Sequence, residues 1–239
     1  MKILAVESSA KAASAAVWED GRLLSEAFVN VGLTHSQTLL PMVQSALENA
    51  GLVIGEIGGF AVSHGPGSFT GIRIGVSAVK GMAQGTGRPC LGVSTLESLA
   101  YQVKHMDGTL VSLMDARCNQ YYTASFSCSG GRLTRLTEDE ALTHEELTKR
   151  LEKQETPLIF VGDGALLCYN KLEDGRKKNV ILAPEQLRYA RASAVAEAAA
   201  EALSAGGVPA AQLRPRYLRL PQAERERLKK EGIQKEERV

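Results

Sequence analysis

The chain has 239 residues, enough for one large domain or two small ones, and its 44% hydrophobic content with few aromatics requires an aliphatic core rich in small residues. Twenty-eight Lys and Arg against 27 Asp and Glu leave a formal net charge of +1. That excludes a global field able to draw in nucleic acid or an anionic membrane, so any RNA contact needs a local patch or a partner's surface. No apolar run approaches the roughly 20 residues of a bilayer span, and the opening MKILAVESSA reads as a first strand rather than a signal peptide. Cys90, Cys118, Cys128 and Cys168 show no close pair spacing, so buried free thiols in a reducing, cytoplasmic compartment are expected.

In chain order, the patterning predicts strands over 3–7, 14–18 and 22–28, with Asp20-Gly21 turning the second into the third. A helix follows over 35–50. Thr34 and Gln37 suit a capping box at its start, and Leu39, Leu40, Val43, Ala46 and Leu47 recur at helical spacing. Pro41 has to sit early in this helix or bend it. A strand over 60–64 runs into Gly65-Pro66-Gly67-Ser68, which opens a helix of small residues reaching about residue 85. A strand over 90–93 and a helix capped by Ser94 complete the first half.

The second half repeats this order. Strands are predicted over 110–116, 120–126 and 132–136, a helix from the Thr143–Glu146 capping box, a strand over 157–162, a short helix over 165–171, a strand over 180–182, and an Ala-rich helix from 192 to Gly206. Three antiparallel strands followed by alternating helix and strand, written twice, predict mixed sheets flanked by helices in two similar lobes with a cleft between them. This is the duplicated actin, hexokinase and Hsp70 (ribonuclease H-like) architecture. The division expected is 1–106 for the first lobe and 107–207 for the second. Residues 208–221 are an extended segment returning to the first lobe, and 222–239 a charged tail.

Chemistry-bearing motifs are incomplete. Glu7-Ser8-Ser9 ends the first strand, where this fold class holds phosphate and metal, but the acid is Glu and the loop lacks glycine. Asp115 and Arg117 occupy the equivalent strand end of the second lobe, with a strand-end ion pair as the plain alternative, and Gly162-Asp163-Gly164 resembles an adenosine-side turn. Together these make at most a vestigial nucleotide site, with weak or interface-shared ATP or ADP. The glycine-rich 65–75 segment lacks the Gly-Lys-Ser/Thr end of a Walker loop. His35 is followed one turn later by Leu39, so the paired histidines of a helical metal site are missing and no metal is expected. The spacing of Gly71 and Gly75, and of Ser77, Gly81 and Gly85, predicts close helix packing; spacing alone leaves open whether the partner is the chain itself or another subunit.

ILAVESS (3–9), THSQTLLP (34–41), HGPGSFTGIRIG (64–75), DARCNQY (115–121), the 162–164 turn and PRYLR (215–219) together resemble the TsaB (YeaZ) family over residues 1 to about 220. The resemblance implies the two-lobed actin-like fold and a cytoplasmic, non-catalytic subunit. Such a subunit pairs with its catalytic paralogue TsaD, is joined by the ATPase TsaE and depends on TsaC. The complex it implies places threonylcarbamoyl on N6 of adenosine 37 in tRNAs reading ANN codons. It further implies that the first two helices of the first lobe form the partner interface, through His35, Leu39, Met42, Val43, Gly71, Ile72, Gly75, Val76 and Val79. Alone, the chain is expected to form a homodimer through the same helices. Glu7-Ser8-Ser9 and Gln37 depart from the family's acidic patterns at those places. The competing readings are an ATP-dependent small-molecule kinase of the same fold, which needs a working phosphate loop and base, and a glycoprotease-type metallopeptidase, which needs the missing histidine pair.

Overall fold

The computed structural model describes residues 1–152, 157–220 and 227; the charged tail 222–239, apart from Arg227, lies outside the described residues. The first half forms β1 (Lys2–Glu7), β2 (Ala13–Glu19), β3 (Arg22–Val29), α1 (His35–Asn49), β4 (Gly59–Gly65), α2 (Phe69–Thr86), β5 (Cys90–Ser94) and α3 (Thr95–Gln102). The second forms β6 (Gly108–Asp115), β7 (Gln120–Ser129), β8 (Arg132–Arg135), β9 (Glu140–Thr143), α4 (His144–Leu151), β10 (Leu158–Val161), α5 (Ala165–Lys171), α6 (Asp174–Lys177), β11 (Val180–Leu182) and α7 (Ala192–Ser204). The sheets run β3-β2-β1-β4-β5 and β8-β7-β6-β10-β11, the same path twice. The duplication expected from element order is therefore present, as actin/hexokinase-like lobes.

β1 is an uninterrupted apolar run because helices cover both its faces. Leu4 and Val6 join Leu39, Val43, Ile72 and Val79 of α1 and α2, while Ile3 and Ala5 pack on Val195, Ala199 and Leu203 of α7. Each buried Leu, Ile or Val contributes about 1.5–3 kcal/mol. The lobes exchange helices. α7, late in the chain and expected within 107–207, covers the first sheet; α3, within 1–106, packs Leu96, Leu99 and Val103 on Leu110, Ala124 and Phe126 of the second. Sequence order therefore does not decide which sheet a helix covers. The apolar face of α7 matches the small-residue surface of β1 and β4, and it packs there.

Several local expectations are corrected. α1 begins after Thr34 with no side-chain cap bond, whereas α2, α3 and α4 are capped by Ser68, Ser94 and Thr143, the last as a full capping box with Glu146. β9 and α6 went unrecognised, being only four residues each. α7 ends at Ser204, before Gly206. Residues 213–220 join no sheet; instead the 208–220 segment straps the lobes together. The Val208 and Cys90 backbones exchange hydrogen bonds of 2.9 Å, and the Arg216 N–H donates to the His64 carbonyl at 2.7 Å. Arg219 Nη1 then donates to the Ala116 carbonyl at 3.0 Å. A second tie runs from Ser94 Oγ to Asp139 at 2.8 Å, with Arg135 bridging Asp139 and Glu97. Cys118 is exposed, against the expectation that every thiol is buried.

Candidate functional site

The carboxyl ends of β1, β6 and β10, the start of α2 and the strap enclose a cleft of about 710 Å3. Its walls bring together Ser9, Asp115, Arg117 and Asp163 from the expected strand ends, as the duplicated fold requires.

Glu7 and Ser8 are turned away from that space. Glu7 is fully buried and one carboxylate oxygen accepts both the Ser9 N–H and the Ser9 hydroxyl at 2.6 Å. The other oxygen is buried without a hydrogen-bond partner. Burial pushes the Glu7 carboxyl above its ordinary value, more than Ser63 and Ser9 beside it pull it down. Ser8 Oγ donates to the Gly71 carbonyl at 2.9 Å. Of the set Glu7, Ser8, Ser9, only Ser9 lines the cleft; Glu7 and Ser8 are buried behind it.

The second-lobe residues face the cleft. Asp115 accepts the Arg117 backbone N–H at 2.8 Å, rather than the guanidinium of the alternative ion-pair reading. Asp163 accepts the Asp115 N–H at 3.3 Å. Its side chain opens to cleft solvent but is crowded by protein, and that desolvation pushes it from 3.8 up to about 6, with the Asp115 charge adding to the shift. Gly162 and Gly164 are positions of close approach: a Cβ on Gly162 would stand 2.0 Å from the Leu113 carbonyl oxygen. Their glycines serve packing of the turn on β6. Arg117, Cys118 and Asn119 all hold positive φ, between 51° and 62°, a run of left-handed residues that costs about 1–2 kcal/mol each.

The α1–α2 pair divides into an inward and an outward face. Leu39, Met42, Val43, Ile72, Val76 and Val79 are all buried in the chain's own first core. A Cβ on Gly71 would stand 2.0 Å from the Ser8 carbonyl oxygen, and one on Gly75 2.5 Å from Ser8 Oγ. This half of the glycine stripe lets α2 lie against β1 and its following loop. His35 Nε2 lies 2.8 Å from the Ala10 carbonyl, so it donates there and ties α1 to that loop; Nδ1 is buried without a partner. Among the described residues no group of three His, Cys, Asp or Glu gathers in metal-binding geometry. The outward face carries different residues: Gln37, Leu40, Pro41 and Gln44 on α1 and Ser77, Gly81 and Gly85 on α2 are exposed. Leu40 is 56% exposed, and a Cβ on Gly81 or Gly85 would meet open space.

Sequence reasoning missed two cleft features, both carried by the PRYLR segment. The Tyr217 ring stacks on Phe69 at 4.4 Å, with the Arg73 guanidinium 3.8 Å over Phe69 and donating to the Tyr217 hydroxyl at 2.8 Å. Arg219 is only 7% exposed. An arginine and a tyrosine in an otherwise unpatterned stretch were the available signal.

The family model "TsaD: tRNA N6-adenosine threonylcarbamoyltransferase" matches residues 30–227. The chain is similar to the tRNA threonylcarbamoyladenosine biosynthesis protein TsaB of Escherichia coli, 34% identical over 69% of this chain and 72% of that protein. It is also similar to TsaB of Bacillus subtilis, 30% identical over 73% and 76%. Among solved structures, YeaZ from Pseudomonas aeruginosa superimposes with a TM-score of 0.75 at 27% identity, covering 91% of this chain and 99% of that one. No described helix is long and apolar enough to cross a membrane. A match over most of the chain, curated relatives at 30–34% identity and a shared fold together place the chain in the TsaB (YeaZ) branch of the TsaD family.

Proposed function

We propose that this chain takes part in threonylcarbamoyladenosine formation on tRNA as a non-catalytic, cytoplasmic subunit that docks onto a TsaD-type transferase. TsaE and TsaC act alongside it, and tRNA is reached through the complex. The observation that carries the reading is the outward face of the α1–α2 pair. Leu40 on α1 is 56% exposed, and Ser77, Gly81 and Gly85 on α2 are exposed, with open space over both glycines. Small, open positions of this kind let a partner helix approach closely. The same face pairs two copies of the chain when the transferase is absent. A non-catalytic role is supported by the inward-turned Glu7 and by Leu39 standing where a second histidine would be needed.

The test is Gly81→Arg, which meets open space and so leaves the fold intact. It should abolish co-elution with TsaD and, in a mixture with TsaD, TsaE, TsaC, tRNA, ATP, threonine and bicarbonate, remove the modified nucleoside. Normal co-elution of the folded variant would show that docking uses another face. Transfer by this chain without TsaD would end the non-catalytic reading.

A further inference from the structure

Two stretches of this chain carry cations and no acid. Residues 57–96 contain Arg73, Lys80 and Arg88, and residues 202–220 contain Arg214, Arg216 and Arg219, with neither Asp nor Glu in either stretch. In a chain whose charges otherwise balance to +1, such stretches build a local field only where the fold lays them side by side. The strap, which lies within the second stretch, runs along α2 and the turn that follows it. Ala210 and Leu213 share a core with Val76, Val79 and Ala83 of α2. Tyr217 stacks on Phe69 at the start of the same helix.

The cations follow the strap from one end to the other. Arg88 is exposed next to Pro89, and a Cβ on Gly207 would stand 3.1 Å from the Pro89 Cβ. Lys80 is half-buried near Cys90, where burial pushes the thiol up and the Lys80 charge pulls it back. Cys90 is bonded in turn to Val208 of the strap. Arg73 lies about two turns before Lys80 on the same edge of α2. Its guanidinium stands 3.8 Å over Phe69 and donates to the Tyr217 hydroxyl. Arg214 and Arg216 are exposed on the strap between these points. Among the described residues, the only acids paired with this row are Glu138 and Asp139, both at 3.6 Å and both to Arg216. Arg219 is not part of the row, being buried against the Ala116 carbonyl.

We propose that the edge where α2 meets the strap, carrying Arg73, Lys80, Arg88, Arg214 and Arg216, binds the phosphate backbone of RNA. A row of separate surface cations fits a chain of repeated charges better than one small anion. Arg73 is already held by its ring and hydroxyl partners, so little side-chain entropy is lost when it meets a phosphate. Contacts of this kind position the RNA without reading its sequence. The choice of RNA over other polyanions rests on the reading above that the chain serves tRNA modification. It goes beyond that reading in giving this chain its own contact with the RNA.

The test titrates fluorescently labelled tRNA with the isolated full-length chain. At low ionic strength the wild type should bind saturably, with affinity falling as salt rises. Combining Lys80→Gln with Arg88→Gln should weaken binding by about twofold to thirtyfold, the sum of two exposed charge pairs. It should also lower the slope of log affinity against log salt by about 1.4–1.8. The control combines Arg22→Gln with Lys149→Gln, which removes the same charge elsewhere: Arg22 is on β3, at the far edge of the first sheet from β5, and Lys149 is on α4 of the second lobe. The control should bind like the wild type. An equal loss in both double variants would mean diffuse attraction and overturn the proposal. No saturable binding of tRNA by the wild type would overturn it whether or not the variants fold. Polyglutamate, standing in for an acidic protein, is the second arm. Binding of polyglutamate that is tighter than that of tRNA and is lost with Lys80 and Arg88 would overturn the RNA assignment. The titration contains no transferase, so its failure removes only the RNA contact, whereas failed co-elution with TsaD removes only the docking reading.

Discussion

The two ends of α2 use small residues at the same four-residue spacing for opposite purposes. Gly71 and Gly75 face inward, where a Cβ would run into Ser8 at 2.0 and 2.5 Å; Gly81 and Gly85 face outward, where it would meet nothing. The first pair brings the helix against the chain's own β1. The second leaves a strip that none of the described residues covers. A glycine stripe thus marks possible close approach without saying to what, and the helix register relative to the sheet decides which half packs on the chain's own core and which stays open.

Substitutions on the two faces should break or sharpen that contrast. The largest effect is expected for Val76→Arg, which places a guanidinium at a site 3% exposed inside the first core. An unpaired buried charge of this kind costs about 3–5 kcal/mol, so the variant should be insoluble or lack a cooperative thermal transition. A folded Val76→Arg protein would mean that α2 is rotated from the register described. Gly71→Ala comes next. Its Cβ cannot coexist with the Ser8 carbonyl without backbone movement, and overpacking of this kind costs about 1–3 kcal/mol, measurable as a lower urea midpoint at unchanged slope. Gly81→Arg should move the other way. Replacing an exposed helical glycine gains about 0.5–1 kcal/mol of helix propensity, so this variant should melt at or above the wild type even as docking is lost. Destabilisation there would show that the outer strip is also covered by the chain itself.

The two equivalent strand ends repeat the contrast between closed and open. Glu7 is sealed in the core, whereas Asp115 and Asp163 stand on the cleft wall. Asp163 supplies the smallest expected effect. The folded protein keeps its proton up to about pH 6, while the unfolded chain releases it near 3.8. Between those values the native state binds more protons, so this group's contribution to stability falls as pH rises. Asp163→Asn should flatten the melting-temperature profile across that window relative to the wild type, and cleft solvent keeps the difference small. An unchanged profile would mean that Asp163 titrates normally.

Much was legible in the chain itself. Hydrophobic periodicity and turn residues determined the strands and helices of both lobes apart from the four-residue β9 and α6, the hairpin at Asp20-Gly21 and the caps at Ser94 and Thr143. The repeated element order determined the duplicated fold, because each amphipathic unit has few ways to bury its apolar face. The family was legible in its motifs, and the strand-end residues that line the cleft were found because topology places the carboxyl ends of central strands together. Three things were settled only by tertiary structure. α3 and α7 cross to the other lobe's sheet, since what a helix covers depends on surface fit rather than chain order. Leu39, Ile72 and Val76 lie inside while Leu40 and Gly81 lie outside, a matter of helix rotation that a stripe of small residues does not specify. Arg219 became a buried cation only when the strap crossed the cleft, a contact with Ala116 over 103 positions of sequence that no local pattern encodes.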